Sequence, residues 1–175
     1  MTTQQDEVRE RVRAYVQHNA VKSPEALKEV SQKGQDQLLE LIHGLSDEQA
    51  SFKANPDDWS VLEVLQHLIE SKRGIARICA ALARGELPAS SARVGVIERE
   101  PFSSLAQARS ALDEAQRELL AFVDTLSPET NLEATYDHPW FGPHNCKEWV
   151  IFQRLHDGDH IGQIERIKSA AAGAA

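Results

Sequence analysis

Apolar residues recur every three or four positions along most of the chain, and this spacing predicts amphipathic helices. Ser23 is an N-cap residue followed by a proline at the first helical position, which opens a helix over about residues 24–45. Ser60 and Glu63 have the spacing of a capping box, which opens a second helix over about residues 60–84. Long helices, rather than strands, are therefore expected in the first half of the chain.

Two more helices are predicted in the second half from the same kinds of signal. Ser104 with Gln107 opens a helix that continues until a Ser-Pro pair stops it. Asn145 with Glu148 opens another, whose apolar stripe continues to Ile167.

Four long helices predict an all-α fold, a four-helix bundle. Alternation with a period of two is nearly absent, and its best example is the isolated stretch Val94–Glu98. The stretch Gly85–Phe102 is long for a connection between antiparallel neighbours, so we expect a crossover that leaves helices two and three parallel. We divide the chain into an N-terminal helical extension (1–22), the bundle (23–168) and a disordered or frayed Ala-rich tail (169–175).

Composition and charge exclude several kinds of partner and of metal ligand. The net charge of -8 and the lack of a Lys/Arg cluster argue against a nucleic-acid partner. No apolar run is long enough to span a membrane, and the polar N-terminus does not resemble a signal peptide, so we expect a cytoplasmic protein. Cys79 and Cys146 are too few for a disulfide framework or a thiolate metal cluster. A metal would therefore need histidine or carboxylate ligands.

Two histidines lie where the last helix should bury apolar side chains. His156 and His160 share the centre of the apolar face with Gln163. A single histidine there would most simply be a hydrogen-bonded core residue. Two at positions i and i+4 are about 5–6 Å apart at Cβ, so both imidazoles can reach one cation. Without a cation, their desolvation would have no evident compensation.

His67, at the edge of the apolar stripe of the second helix, is the candidate third ligand. Ser71 and Gly74 follow it at helical spacing and would leave space beside the imidazole for water or substrate. The alternative is an ordinary helix-edge histidine. Three neutral imidazoles with an open fourth position are typical of a catalytic zinc site.

Several other polar residues have simpler interpretations. The sequence H-D-x-x-H resembles the zinc-protease helix, but Asp157 is shorter than the usual glutamate base and Gly158 weakens the helix, so we expect Asp157 and Asp159 to face solvent. Cys146, at the start of a helix, could have a lowered thiol pKa, although a semi-buried structural role is the simpler interpretation. Helix ends and turns account for the remaining histidines, which are His18, His43, His138 and His144. Glu70, three residues after His67, is expected to face solvent, with support of a metal ligand as the weaker alternative.

Two segments together resemble the DinB/YfiT-like superfamily. DDWSVLEVLQHLIESKRGIARIC is similar to its second-helix signature, and DHPWFGPHNCKEWVIFQRLHDGDHIGQIERI is similar to its C-terminal signature. The resemblance covers about residues 24–168 and implies a four-helix bundle with a long crossover. It also implies one divalent metal, Zn, Ni or Mn, held by His67, His156 and His160. Relatives include thiol S-transferases and a thiol-dependent isomerase, so it further implies a low-molecular-weight thiol as cosubstrate.

The leading hypothesis is a cytoplasmic metal-dependent transferase or hydrolase that activates water or a low-molecular-weight thiol for attack on a small-molecule substrate. We assign Gln163 as the candidate catalytic side chain, which would orient the nucleophile; a hydrogen bond within the core is the alternative. The family resemblance makes a homodimer plausible. The competing hypothesis is a non-catalytic binding or stress-related module with a structural or vestigial metal site, and a metal-free dimerisation domain is a third.

Overall fold

The computed structural model describes residues 3–89 and 100–174, and the side chains between residues 4 and 173 within those ranges. Most of the expected crossover, including the stretch Val94–Glu98, lies outside the described residues.

The described part of the chain is mostly helical, with one small hairpin. In chain order the elements are α1 (Thr3–Ala20), α2 (Pro24–Leu41), α3 (Asp47–Ser51), α4 (Val61–Ala83), α5 (Leu105–Val123), β1 (Tyr136–His138), β2 (Gly142–His144) and α6 (Cys146–Ala174). Helices α2, α4, α5 and α6 form the bundle, and α1 packs against α6. The prediction of an all-α four-helix bundle with an additional N-terminal helix is confirmed.

The predicted caps begin the bundle helices where the sequence placed them. The Ser60 hydroxyl accepts from Glu63 N–H while the Glu63 carboxylate accepts from Ser60 N–H, so the capping box of α4 is complete. Asn145 and Glu148 form the same reciprocal pair at α6. These bonds satisfy backbone donors that a helix start otherwise leaves without a partner.

The direction of each helix follows from the two apolar clusters that fill the bundle. The first halves of α4 and α5 share one cluster and their second halves share the other, so these helices run parallel, as a crossover requires. The start of α6 packs with the end of α4, and Ile164 packs with the start of α4, so α4 and α6 run antiparallel. Helix α2 packs between α5 and α6.

A layer of buried polar side chains separates the two apolar clusters. All four bundle helices contribute to this polar layer, whose members are the buried Ser31, Gln35, Lys72, Gln116, Gln153 and Asp157 and the half-buried Ser71. Buried polar groups are tolerated when they are hydrogen-bonded to one another, and most of these are.

Three features differ from the sequence-based expectation. The short helix α3, with a capping box of its own, and the hairpin β1–β2 were not predicted; each is too short to produce a periodic signal. Helix α6 continues to Ala174, so residues 169–174 are helical rather than the expected disordered or frayed tail, in keeping with the high helix propensity of alanine. Among the described helices, none is both long and apolar enough to cross a membrane.

Candidate metal centre

The three histidines singled out in the sequence meet at one point between α4 and α6. The Nε2 atom of His156 lies 3.1 Å from Nε2 of His67 and 3.1 Å from Nε2 of His160. One ligand atom from each of the three side chains lies within 4.8 Å of the others. The helical spacing of His156 and His160 and the position of His67 on α4 therefore bring three imidazole nitrogens together, as expected.

Gln163 determines which ring nitrogen of His160 faces this point. Its Oε1 atom lies 2.7 Å from Nδ1 of His160. An amide oxygen only accepts hydrogen bonds, so Nδ1 carries the proton and Nε2 has a free lone pair. This is the usual arrangement of a metal-binding imidazole, whose second nitrogen donates to a neighbouring acceptor.

His156, at the centre of the group, is held in the neutral form. Burial, and after it the nearby His160, His67, Lys72 and His138, together lower its pKa to about 2. Its Nε2 atom can donate a proton to only one of its two Nε2 neighbours, because a neutral imidazole has one N–H. If His160 keeps its proton on Nδ1, at least one of the two 3.1 Å contacts of His156 Nε2 cannot be a hydrogen bond.

This geometry fits a divalent cation. Three nitrogens at about 2.0–2.1 Å from a tetrahedral cation are about 3.3 Å apart, close to the observed separations. Neutral imidazoles suit zinc, nickel, copper and iron, so the donor set is compatible with a transition metal without specifying which one.

Trp59 forms an aromatic wall beside the three imidazoles. Its ring stacks parallel to that of His160, with centroids 6.3 Å apart, and lies tilted against His67 at 5.2 Å. An apolar wall restricts water and lowers the local dielectric, which strengthens any charge interaction at the site. No role for Trp59 was predicted from the sequence, although it directly precedes the Ser60 cap and is thereby fixed next to the first turn of α4.

The residues that follow His67 on α4 agree only in part with the expectation of open space and solvent exposure. The Ser71 hydroxyl donates to Gln153 of α6 at 3.0 Å, so it joins the polar layer. A Cβ atom added at Gly74 would meet no atom of the residues that the structure describes within 4 Å, so space remains there. Glu70 is partly buried and accepts from Gln66 at 2.7 Å, rather than lying free in solvent as expected.

The interpretation of Asp157 as a solvent-facing residue is wrong. Its side chain is 1% exposed and pairs with the fully buried ammonium group of Lys72 at 2.7 Å. On the helical wheel of α6, Asp157 lies at the border between the apolar stripe and the polar face. The periodicity of α6 alone therefore does not show that Asp157 faces Lys72 of α4. Asp159 is exposed, as expected.

The hairpin places two more histidines against α6, where turn positions had been expected. His138 and His144 are buried, and their rings contact Phe152 with centroids 4.5 and 5.6 Å apart. Nδ1 of His138 accepts from the backbone N–H groups of Trp140 and Phe141, which fixes its proton on Nε2. Burial lowers the pKa of His138 to about 4 and also lowers that of His144.

Both cysteines are buried and free. Burial raises the pKa of each thiol, and Cys79 donates to the Cys146 carbonyl. The structural interpretation of Cys146 therefore agrees with its surroundings, since a reactive cysteine needs a lowered pKa and access to solvent.

Comparison with known proteins supplies the family. The model of the DinB superfamily matches residues 32–164. The chain is 27% identical over 143 residues to the uncharacterized protein YuaE of Bacillus subtilis strain 168, covering 73% of this chain and 88% of that one.

Two solved structures have the same fold. The crystal structure of TT2238, described as a four-helix bundle protein, superposes with a TM-score of 0.63 at 22% identity and covers 82% of this chain and 99% of its own. A conserved protein from Enterococcus faecalis gives a TM-score of 0.63 at 12% identity, covering 87% of this chain and 99% of its own. The sequence match and the shared bundle agree: the chain belongs to the DinB superfamily.

Proposed function

We propose that this protein binds one divalent metal ion through His67, His156 and His160 and is a metal-dependent enzyme of the transferase or hydrolase type. The observation that carries the proposal is the convergence of three Nε2 atoms, with contacts of 3.1 Å, on one point at the wall formed by Trp59. Zinc is the first choice for the donor set, with nickel and manganese as the alternatives that the family suggests.

The chemistry proposed follows from three neutral ligands on a site that is not fully closed. His156 and His160 are only partly buried, so solvent or a small molecule can approach their side of the group. A divalent cation with an open position lowers the pKa of a bound water or thiol and thereby supplies a nucleophile near neutral pH. We therefore propose a small electrophilic substrate, with water or a low-molecular-weight thiol as the attacking group.

The side chains around the ligands would do the positioning. Gln163 holds the proton of His160 on Nδ1 and so keeps Nε2 free to bind the cation. This contact supports a role for Gln163 in orienting the metal ligand His160, rather than in acting directly on the nucleophile. Trp59 would shield one side of the site from water.

A purely structural metal is the competing function, and the interior of the bundle argues against it. Two apolar clusters fill the bundle on either side of the polar layer without using the three imidazoles. A protein of this kind should fold without metal, whereas small structural zinc domains obtain their folding free energy from the metal.

Metal analysis of protein purified without a metal-affinity column tests the proposal. We expect about one equivalent of a transition metal in the wild type and a large loss in His156→Ala. His43→Ala, on the exposed residue after α2, is the matched control and should keep the metal. Less than about half an equivalent in the wild type, unchanged in His156→Ala, would contradict the ligand assignment.

A second experiment separates the reaction types. Metal-loaded protein is assayed against electrophiles, esters and amides with and without bacillithiol, mycothiol or glutathione. Turnover that requires a thiol supports a transferase, and turnover of esters or amides without thiol supports a hydrolase. If no substrate is turned over and chelator unfolds the protein, the structural alternative replaces the enzyme hypothesis.

A further inference from the structure

A buried ion pair joins the two helices that carry the three histidines. Lys72 on α4 and Asp157 on α6 are 0% and 1% exposed, and Nζ lies 2.7 Å from Oδ2. Lys72 lies little more than one helical turn after His67, and Asp157 directly follows His156. The pair therefore bridges α4 and α6 next to the place where the histidines bridge them.

The remaining polar atoms of this pair have partners on the other bundle helices. Lys72 also donates to Oε1 of Gln116 on α5, and Gln153 donates to Oδ1 of Asp157. Gln116 continues the network by donating to the Ser31 hydroxyl on α2. A buried charge pair is tolerated in this form, because nearby hydrogen bonds replace the water that each group has lost.

Helix α2 leaves space for this arrangement at Gly34. A Cβ atom added there would lie 3.3 Å from Oδ2 of Asp157 and 2.9 Å from Cδ of Arg154. A glycine inside a helix is otherwise unfavourable relative to alanine. The close approach of α6 to α2 at Asp157 accounts for its presence.

The ion pair restricts the relative rotation and axial position of α4 and α6, which apolar packing alone would leave free to vary. Replacing a buried ion pair by apolar residues of similar size is often neutral or stabilising, so stability alone does not explain Lys72 and Asp157. Apolar contacts are non-directional, whereas an ion pair with several hydrogen bonds is satisfied in one rotation and one axial position of the helix. A metal site needs its ligands held to within about 0.5 Å.

We propose that Lys72 and Asp157 are positioning residues that set the rotation and axial position of α6 against α4, and thereby hold His156 and His160 opposite His67. The inference rests on the metal site proposed above. Asp157 and His156 are consecutive on one rigid helix, so a rotation of α6 that breaks the ion pair also moves the imidazole away from the shared point.

The double variant Lys72→Met/Asp157→Leu tests this role without leaving a single charge buried. Gln116 keeps its bond to Ser31, and Gln153 keeps the bond from Ser71, so both amides retain a partner. Leu112→Ala is the control: it is a fully buried core residue on α5, which carries none of the three histidines. The single variant Asp157→Asn is measured as well.

We expect the double variant to melt no lower than Leu112→Ala and yet to bind zinc at least about tenfold more weakly, the size of effect seen when supporting residues of metal ligands are changed. Its cobalt absorption spectrum should differ from that of the wild type, while Leu112→Ala keeps the wild-type spectrum. Wild-type affinity and spectrum in the double variant would overturn the inference. If the double variant does not fold, the same comparison is made with Asp157→Asn.

An experiment on the metal-free protein separates this inference from the proposed function. Long-range proton–nitrogen NMR correlations report the tautomer and environment of the three imidazoles. If the wild type binds no metal, the proposed function fails, but altered signals of His156 and His160 in the double variant, with unaltered signals in Leu112→Ala, still support positioning. Unaltered signals in both variants overturn it.

Discussion

His160 is constrained at both ring nitrogens, and this makes it the most informative single residue of the site. Nδ1 faces Gln163 at 2.7 Å and Nε2 faces His156 at 3.1 Å. An acceptor at Nδ1 keeps the proton there and increases the basicity of Nε2. The contribution of Gln163 should therefore appear in metal affinity and less in the stability of the fold.

Gln163→Leu should weaken metal binding by about 10–100-fold, because His160 loses the acceptor that fixes its tautomer and ring orientation. The unfolding free energy of the metal-free variant should change by about 0.5 kcal/mol or less in either direction, since Gln163 is only partly buried. Competition titration with a chromogenic chelator measures the affinity. Gln163→Glu keeps an acceptor oxygen and should bind at least as tightly as the wild type; equal affinities of the leucine and glutamate variants would argue against the role of the amide oxygen.

The residues of the site differ in whether the sequence of a single helix is enough to predict their role. His156, His160 and Gln163 were found because they share one face of a single helix, and a helical wheel shows that face. Lys72 and Trp59 were missed as parts of the site because their importance arises from contacts with residues far away in the sequence. His138 was missed for a related reason: its hairpin has strands of three residues, which are too short for alternation to be recognised.

At the scale of the helices, starts were more predictable than ends. The caps at Ser23, Ser60, Ser104 and Asn145 depend on bonds between residues three apart, which a sequence displays directly. The ends of α2 and α5 fall short of the predicted positions, and α6 runs past its own. The Ser-Pro pair predicted the end of α5 only approximately, since it lies beyond Val123, and tertiary packing decides where each of these helices stops.

Two glycines inside helices should respond in opposite ways to substitution by alanine. Gly34→Ala should destabilise the protein by about 1–2 kcal/mol, because the added methyl group would meet Arg154 and the buried Asp157 carboxylate. Gly74→Ala should stabilise it by about 0.5–1 kcal/mol, since no atom in the described part of the chain lies within 4 Å of the added Cβ and alanine is the better helix former.

Urea unfolding of the metal-free proteins measures both changes, and each variant is the control for the other. Stabilisation by Gly34→Ala equal to that by Gly74→Ala would mean that α6 does not approach α2 as closely as the structure places it.

At the scale of the whole molecule, the bundle is two apolar clusters joined across a polar layer, with the candidate metal centre beside that layer. The clusters contain side chains from all four bundle helices and so hold them together on both sides. The polar layer restricts how the helices slide and rotate. Helical periodicity predicted the apolar clusters, but the pairing of polar residues across helices depends on the relative rotation of the helices, which periodicity does not encode.

Several imidazoles with lowered pKa values should make the metal-free protein sensitive to acid. Burial lowers the pKa of His138 to about 4 and that of His156 to about 2, and it lowers the pKa of His144 as well. In the unfolded chain these groups take up protons near pH 6.5, so below that pH the unfolded state binds more protons than the folded state. Stability is therefore full above about pH 6.5 and falls as the pH drops toward the lower pKa values of the folded protein.

We expect the free energy of unfolding of the metal-free protein to decrease by about 2–3 kcal/mol between about pH 6 and pH 5, because each imidazole that the fold keeps neutral contributes up to about 1.4 kcal/mol per pH unit and both His138 and His156 stay neutral over this range. Urea titrations at several pH values measure this slope. His138→Asn removes a titrating group while its side-chain oxygen can still accept from the hairpin backbone, so its slope should be shallower by close to one imidazole's share. His43→Gln changes an exposed side chain and should leave the slope unaltered. Equal slopes in the wild type and both variants would show that His138 is not held neutral by the fold, and the acid sensitivity would then have to come from His144 and His156.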